Sequence, residues 1–380
     1  MEHRSATSRY HAPAVEWIKV IAGLLVLAAS GCVTAEVSAK GEAAEPSAVL
    51  DCRVTAADGD VAAVLRESGE LVMVGGYVEL LRSADLGVSW RREELEPSCG
   101  WPDVVELDGR LLISCAKRKA PGRLLVVAED PDGGWLAPIE VDAGSDLVID
   151  THLQVLTDGE VILFATHIDR PKDLNDAVYI IRLYRSGDGG VTWSDGETVV
   201  SGRRGRHLED TRSVRLGDGS VLLAYELEKA EGSPSKVRQL RSIDRGRTWS
   251  EYGVIWGGAD IEPGGYVLFD DGELWFVASS DERAGGGSYE RASILMRRSM
   301  DGGRSWTAGE VLVESEDQIS FGGVVVPGDE IILPSLRYYT DRDHRELSVY
   351  VVGRDPSRGA RCASPPIATA GFEDGAGRQW

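Results

Sequence analysis

Short runs of branched and apolar residues recur along most of the chain, and a turn follows each run. Typical examples are Val161–Phe164, Val221–Ala224 and Glu330–Leu333. Runs of this length that are rich in Val, Ile and Leu predict strands, and the Asp-Gly pairs between them predict hairpin turns. Patterns with the 3.6-residue period of a helix are nearly absent. The chain is therefore predicted to be all-β.

An eight-residue pattern occurs four times between these strands. It reads Ser-x-Asp-x-Gly-x-(Ser/Thr)-Trp and occupies Ser83–Trp90, Ser186–Trp193, Ser242–Trp249 and Ser299–Trp306. The aspartate can cap its own turn, the glycine permits a positive φ, and the tryptophan anchors the following strand. We interpret the pattern as a structural hairpin turn and not as a catalytic motif.

Two weaker copies of the pattern fill the gaps between the strong ones, at Asp130–Trp135 and Gly353–Pro356. Measured between the aspartates of all six copies, the spacing is 47, 56, 56, 57 and 54 residues. A four-stranded propeller blade has this length. The sequence thus predicts a β-propeller with six blades.

The octapeptide resembles the Asp-box, or bacterial neuraminidase repeat, of the sialidase superfamily of six-bladed propellers. The resemblance covers residues 51–362 and strongly indicates this fold. It says less about activity, because in that family the box lies away from the active face and also occurs in non-enzymatic propellers.

The first residues of the chain resemble an export signal. Basic residues precede an apolar run at 20–29, which suits the core of a secretory signal and is too short to span a bilayer. Ala29–Cys32 then resembles a bacterial lipobox, in which Cys32 carries the lipid; an ordinary signal with Cys32 as a leftover thiol is the alternative. We predict four segments: a lipoprotein signal peptide at 1–31, a flexible tether at 32–50, the propeller at 51–362 and a C-terminal tail at 363–380.

Export implies an oxidising compartment, in which the other four cysteines can form disulfides in three pairings. Cys99 and Cys115 fall on the two arms of one predicted hairpin, about three residues out of direct register. Cys52 and Cys362 lie at the two ends of the repeat array. Because a propeller closes its ring by joining its first and last blades, a disulfide between Cys52 and Cys362 would link these two blades covalently.

The charge balance restricts the partners. The chain has 41 Lys+Arg and 62 Asp+Glu, a net charge of -21, which disfavours nucleic acids and anionic membranes. We expect a monomer that contacts the membrane only through its N-terminal lipid and takes a glycan or glycoconjugate as substrate. The histidines show no metal-ligand spacing, so neither a metal nor another cofactor is expected.

Acidic residues recur where the innermost strands of several blades are predicted to begin. Counted back from the glycine of the first hairpin turn, Glu209 and Glu262 lie ten residues earlier, Asp60, Asp150 and Asp210 nine, and His152 and Arg212 seven. Innermost strands line the channel of a propeller, so these side chains are predicted to converge near its axis. Positions nine and seven share a strand face by the period of two, which places Asp150 beside His152 and Asp210 beside Arg212.

Arginines follow the second strand of four blades, at Arg118, Arg170, Arg283 and Arg337. Guanidinium groups above a cluster of carboxylates suit an anionic sugar, because arginine binds a carboxylate through two parallel hydrogen bonds. The alternative is that these arginines lie on solvated loops and pair with nearby acids.

The resemblance to sialidases implies roles for some of these residues. In that family an arginine cluster holds the sialic acid carboxylate, a tyrosine activated by a glutamate is the nucleophile, and an aspartate is the acid/base. On this basis Glu209 is the activating glutamate, Tyr338 or Tyr339 is the nucleophile, and Arg283 and Arg337 belong to the cluster.

Two departures from the family pattern argue against specificity for sialic acid. No Arg-Ile-Pro stretch precedes the first box, and blade four ends its second strand in Glu226–Lys229 instead of an arginine. Related propellers also include glycosidases that use two carboxylates, a scheme that Glu209 and Glu262 would suit. We predict an exported, surface-tethered exo-glycosidase; the competing interpretation is a non-catalytic propeller that binds glycan or protein with the same face.

Overall fold

The computed structural model describes residues 53–56, 61–75, 79–96, 99–117, 122–145, 147–169, 177–202, 206–227, 235–257, 261–283, 289–315, 318–321, 328–338, 345–355 and 360–362. Over these residues the chain forms strands and one short 3₁₀ turn at Thr157–Gly159. None of the described segments is a helix long and apolar enough to cross a membrane. The predicted signal peptide, the tether, Cys32 and the tail lie outside the described residues.

The strands form six antiparallel sheets, each built mainly from consecutive strands. Blade one consists of β2 (Val61–Leu65), β3 (Leu71–Gly75), β4 (Glu79–Ser83) and β5 (Arg91–Glu94), and blade two of β6 (Gly100–Leu107), β7 (Arg110–Lys117), β8 (Gly122–Ala128) and β9 (Ile139–Ser145). Blade three consists of β10 (Leu147–Val155), β11 (Val161–Asp169), β12 (Val178–Ser186) and β13 (Glu197–Ser201). Blade four consists of β14 (Leu208–Arg215), β15 (Val221–Leu227), β16 (Lys236–Ser242) and β17 (Ser250–Gly257).

Blade five consists of β18 (Ile261–Leu268), β19 (Leu274–Arg283), β20 (Tyr289–Ser299) and β21 (Glu310–Ser315). Blade six consists of β22 (Gln318–Phe321), β23 (Glu330–Tyr338) and β24 (Arg345–Gly353), with β25 (Ala360–Cys362) and β1 (Arg53–Ala56) both paired to β24. The first described strand thus completes the last blade. The ring is closed in this way, as the propeller interpretation requires.

The first strand of each blade is its innermost strand. β2, β6, β10, β14, β18 and β22 contact one another in chain order, which makes them the wall of a central channel. The hairpin turns after these strands and the four boxes lie at one end of the channel, here called the box face. The opposite end, where the inner strands begin, is the site face. The six-bladed all-β fold predicted from the sequence is confirmed, and each strong box joins the third and fourth strands of its blade.

The hydrophobic core lies between neighbouring blades. Between blades three and four, for example, Phe164 and Leu183 pack against Val221 and Leu223, and all four side chains are fully buried. Burying apolar surface is worth roughly 25 cal/mol per Å², so each seam between two blades contributes to the stability of the whole ring.

Each box is a small hydrogen-bonded unit. In blade three Asp188 accepts bonds from the Ser186 hydroxyl at 2.8 Å and from the backbone N–H and hydroxyl of Thr192 at 2.9 and 2.5 Å, and Trp193 Nε1 donates to the carbonyl of Gly190 at 3.0 Å. The hydroxyl bond from Thr192 is the largest cause that lowers the pKa of Asp188 to about 2. The box is therefore a turn held together by an ionised aspartate, as the sequence predicted.

Replacing Asp188 with alanine should destabilise the propeller by about 2 kcal/mol, because several hydrogen bonds to a charged acceptor are lost at once. Since the pKa of Asp188 is depressed, its contribution is present above pH 4 and fades as the pH falls towards 2. Urea unfolding at pH 7 measures the change, and Asp195→Ala, an exposed aspartate just after the same box, is the control. Equal stability of the two variants would contradict this role.

The two predicted disulfides have different outcomes. Cys99 and Cys115 are bonded, with a Cα–Cα distance of 5.7 Å, and an irregularity in β6 between Gly100 and Asp103 reduces their offset from direct register from three residues to two. Cys362 is also disulfide-bonded. Its expected partner, Cys52, lies outside the described residues, so that pairing stays a prediction.

Candidate active site

A cavity of about 240 Å³ lies on the propeller axis, and the inner strands of five blades line it. β2 contributes apolar side chains, whereas β6, β10 and β14 contribute the charged and polar ones. Three carboxylates (Asp103, Asp150 and Asp210) share the cavity with the guanidinium of Arg212. Side chains from separate blades therefore converge on the axis, as the spacing of the acidic residues predicted.

Three neighbouring inner strands carry the same irregularity at the cavity. The register of β6, β10 and β14 shifts between Gly100 and Asp103, between Ile149 and His152, and between Glu209 and Arg212. In each case the pairing accommodates one extra residue, which is the definition of a β-bulge. Bulges interrupt the regular alternation of a strand and re-aim its side chains. Asp150 and His152 both line the cavity, as do Asp210 and Arg212, but the bulges break the regular period of two on which that prediction rested.

The first residue of each bulge adopts a left-handed backbone conformation. Trp101 has φ 49°, Asp150 has φ 49° and Asp210 has φ 52°, and none of them is glycine. Such a conformation costs a non-glycine residue roughly 1–3 kcal/mol, and strain of this kind clusters at functional sites. A hydrogen bond from Thr151 Oγ1 to the Trp101 carbonyl, 2.7 Å long, ties two of the bulges together.

The residue that follows each bulge connects its blade to the next one. Asp103 accepts a bond from the backbone N–H of Leu153 at 2.6 Å, and His152 Nε2 accepts one from the backbone N–H of Ser213 at 2.9 Å. Arg212 Nε in turn donates to the carbonyl of Gly264 at 3.0 Å. Side-chain bonds of this kind hold the inner strands of blades two to five in a fixed relation around the cavity.

The two strained aspartates are close to each other. Asp150 is 8% exposed, and its Oδ2 lies 3.3 Å from the backbone nitrogen of Asp210, which donates to it. Asp210 is half-buried in the same wall. Arg212 makes no ion pair with a carboxylate of any described residue, because its Nε and Nη1 donate to backbone carbonyls. The cavity thus combines carboxylates from adjacent blades with a positioned guanidinium.

Tyr266 closes the cavity on the side of blade five. Its hydroxyl is buried and has no hydrogen-bond partner among the described residues, and burial raises its pKa well above the ordinary value. Over the part of the chain that is described, no group of three or more His, Cys, Asp or Glu side chains could hold a metal ion.

Glu209 does not line the cavity, although it directly precedes Asp210. Its side chain is 33% exposed, with Oε1 3.9 Å from Nδ1 of His207, whose ring stacks on Tyr179 at 4.5 Å. Across the hairpin Glu209 lies directly opposite the buried Glu226. Glu209 is therefore at the rim on the site face, not on the wall of the cavity.

The other predicted residues are only partly described. Glu262 is half-buried on β18, where the Ser279 hydroxyl donates to its Oε2 at 3.4 Å, and it does not line the cavity either. β19 ends at Arg283 and β23 ends at Tyr338, one residue after Arg337, so the backbone brings all three to the site face. Asp60, Arg118, Arg170 and Tyr339 lie outside the described residues.

Sequence reasoning missed Trp101, Asp103 and Ser213. The positions of blade two were counted back from Gly109, but the hairpin after β6 has a two-residue loop, whereas those after β10 and β14 have three. Asp103 is thus equivalent to His152 and Arg212, one position away from where the count placed it. Counting from the last residue paired across each hairpin, which is Leu107, Leu156 or Leu216, would have found it.

A family model described as a BNR repeat-like domain matches residues 124–333, which is more than half of the chain. The chain belongs to this family. No curated protein matches the sequence of this BNR repeat-like protein. The family assignment agrees with the boxes, which are the repeats that the sequence contains.

Solved structures of glycan-acting enzymes have a similar fold. The Hadza microbial sialidase Hz136 has a TM-score of 0.56 and 16% identity, over 77% of this chain and 65% of that chain. The α-L-arabinanase of Penicillium chrysogenum, complexed with arabinobiose, has a TM-score of 0.57 and 14% identity, over 78% and 97%. Trypanosoma rangeli sialidase, in complex with 2,3-difluorosialic acid, has 0.54 and 14%, over 79% and 54%. At these identities the similarity shows the shared fold alone, and the chain spans less than two thirds of the two sialidases.

Proposed function

We propose that this BNR repeat-like propeller is an exo-acting glycoside hydrolase whose active site is the axial cavity. The observation that carries the proposal is the set of three bulges at Trp101, Asp150 and Asp210, which hold non-glycine residues in a strained conformation around one cavity. Residues that served only to pack the channel would not need aspartates in a strained backbone conformation. The sialidases and the arabinanase with a similar fold support the choice of a glycan as the substrate.

Asp150 and Asp210 are the proposed catalytic pair. Glycosidases of the usual kind place two carboxyl groups on either side of the scissile bond, one to protonate the leaving oxygen and one to act as base or nucleophile. Asp150 is the more buried of the two, and the bond from the backbone N–H of Asp210 fixes the position of its carboxyl group. It is therefore assigned as the base or nucleophile, and Asp210, which is more open to the cavity mouth, as the acid.

The rest of the cavity fits a single terminal sugar. Its volume, about 240 Å³, is below the roughly 300–1,000 Å³ of pockets for larger ligands. Trp101 and Tyr266 provide aromatic side chains for the ring. Arg212, which has no carboxylate partner among the described residues, is suited to an acidic group on the sugar.

A screen of 4-nitrophenyl and 4-methylumbelliferyl glycosides, including uronides and sialosides, tests the proposal on the purified protein without its first 31 residues. Release of the chromophore by the parent, and its loss in the Asp150→Asn/Asp210→Asn double variant, is the expected result. If the parent cleaves none of them but binds a glycan that the double variant does not bind, the protein is a non-catalytic propeller that uses the same face.

The tyrosine mechanism of sialidases makes a different prediction for the variants. If Tyr338 or Tyr339 is the nucleophile and Glu209 activates it, Tyr338→Phe or Tyr339→Phe and Glu209→Gln should abolish turnover. In the two-aspartate mechanism these three variants should retain most of it. Glu262→Gln tests the remaining pair, Glu209 with Glu262, in the same assay.

We also propose that the protein is exported and anchored in the bacterial cell envelope through lipid on Cys32. The disulfide between Cys99 and Cys115 and the disulfide-bonded state of Cys362 support an oxidising compartment. Replacing Cys32 with alanine should move the protein from the membrane fraction to the soluble fraction, and Cys52→Ala, which leaves the lipobox intact, is the matched control. Retention of the Cys32→Ala variant in the membrane fraction would argue against the anchor.

A further inference from the structure

Three polar side chains form a line along the cavity wall from blade two to blade four. Asp103 Oδ2 lies 2.9 Å from His152 Nδ1, and His152 Nε2 lies 2.9 Å from Ser213 Oγ. All three residues line the cavity, and Ser213 is 8% exposed. A hydroxyl, an imidazole and a carboxylate in this order and at these distances have the arrangement of an activated nucleophile.

The hydrogen bonds of His152 define its tautomer. The carboxylate of Asp103 accepts from Nδ1, so this nitrogen carries the proton, and Nε2 is the acceptor because it receives the backbone N–H of Ser213 at 2.9 Å. The Ser213 hydroxyl has one other acceptor, Gln154 Oε1, at 3.5 Å. Nε2 is thus the nearer base for the proton of the Ser213 hydroxyl. In the equivalent contact made by Arg212, the bond goes to the backbone of the next blade and not to a side chain there.

We propose that Ser213 is the nucleophile of a second activity, the hydrolysis of small carboxylic esters. Ser213 Oγ attacks the ester carbonyl and its proton passes to His152 Nε2; Nε2 then protonates the alkoxide as the ester C–O bond breaks, which leaves an acyl-serine. Water attacks the acyl-serine, Nε2 takes the proton of this water, and the carboxylic acid leaves as Ser213 regains its proton. Asp103 is a positioning residue that holds the imidazole in the required tautomer.

The surroundings of Ser213 indicate the class of ester. The small volume of the cavity admits a short acyl group such as acetyl, and Arg212, beside Ser213 in the sequence, is the only arginine or lysine among the described residues that line it. Its positive charge suits the carbonyl oxygen that becomes negative during attack. A sugar that carries an O-acetyl group therefore combines the two groups that this cavity is built to receive.

The test uses a fluorophosphonate probe, 4-nitrophenyl acetate and peptide mass mapping on the purified full-length protein. The parent should become covalently labelled on Ser213 and should hydrolyse the ester. Ser213→Ala and His152→Ala should lower both rates by about 10²-fold or more. Asp103→Asn should lower them as well, and Asp103→Glu, which keeps a carboxylate, should restore part of the loss.

Ser114→Ala is the matched control, because Ser114 is a buried serine whose hydroxyl bonds to Thr151 and not to a histidine. This variant should keep the labelling and the ester hydrolysis of the parent. Absence of label on Ser213 in the folded parent, or an unchanged rate in Ser213→Ala, would overturn the proposal and leave these contacts as a structural tie between inner strands. Neither assay requires a glycoside, so their failure would leave the proposed glycosidase activity unaffected.

Discussion

Asp210→Asn should lower the turnover of an aryl glycoside by about 10² to 10⁴, the usual contribution of a general acid or base. Asparagine tolerates the left-handed conformation of residue 210 as well as aspartate does, so the fold should be retained. Asp150→Asn should have an effect of the same size, because each residue acts on one side of the scissile bond. Steady-state kinetics on the best substrate of the glycoside screen measures the turnover, and unfolding curves for every variant measure the stability of the fold.

The conformational strain at residue 210 provides a second measurement. Asp210→Gly removes the carboxylate and also relieves the strain, so it should be inactive and at least as stable as the parent. Asp158 is the matched control, because it has φ 72° in the exposed turn after β10 and lies outside the cavity. Asp158→Gly should relieve strain without changing turnover. If Asp210→Gly keeps full activity, the assignment of the catalytic pair is wrong.

The fold could be predicted from the sequence because it is repeated and locally encoded. Each box contains its own turn chemistry, in which a serine, an aspartate and a glycine bond to one another within eight residues. Spacing between such units then gives the length of a blade, and six copies give the ring. The closing strand β1 has no box, so its pairing with β24 could be expected only from the requirement that a ring be closed.

The cavity could be predicted only in part, because its geometry depends on bulges. Asp150, His152, Asp210 and Arg212 were identified from their position before the turn, and all four line the cavity. Bulges have no signature in one sequence, so the left-handed conformation of Trp101 could not be anticipated. Nor could the difference between Asp210 and Glu209, adjacent residues of which one lines the cavity and the other lies at the rim.

A second polar network, away from the cavity, joins blades two and three. His167 on β11 is 1% exposed, and its Nε2 lies 2.8 Å from the hydroxyl of Tyr184 on β12. That hydroxyl donates to Asp142 Oδ2 on β9 at 2.5 Å, and Arg182 Nη1 lies 3.5 Å from the same oxygen. Because the Tyr184 proton goes to Asp142, the bond between His167 and Tyr184 requires a proton on Nε2 of the neutral imidazole.

Burial and, to a smaller extent, the positive charge of Arg182 lower the pKa of His167 from 6.5 to about 4, although Asp142 acts in the opposite direction. In the unfolded chain the imidazole binds a proton below pH 6.5, but in the folded protein it does so only near pH 4. The free energy of unfolding is therefore not reduced by this imidazole above pH 6.5, and it decreases as the pH falls from 6.5 to 4. A depression of this size corresponds to about 3 kcal/mol.

His167→Gln should remove this part of the acid sensitivity. The glutamine amide can still donate to the Tyr184 hydroxyl, but it does not titrate, so the variant should lose about 3 kcal/mol less than the parent between pH 6.5 and 4. Urea unfolding at half-unit pH steps measures the difference, and carboxylates that titrate in the same range cancel because both proteins contain them. His207→Gln, which replaces an imidazole that is 44% exposed and lies outside this network, is the control for the loss of a histidine as such. Parallel curves for the parent and His167→Gln would show that the buried imidazole does not limit stability in acid, and the loss would then have to come from the carboxylates.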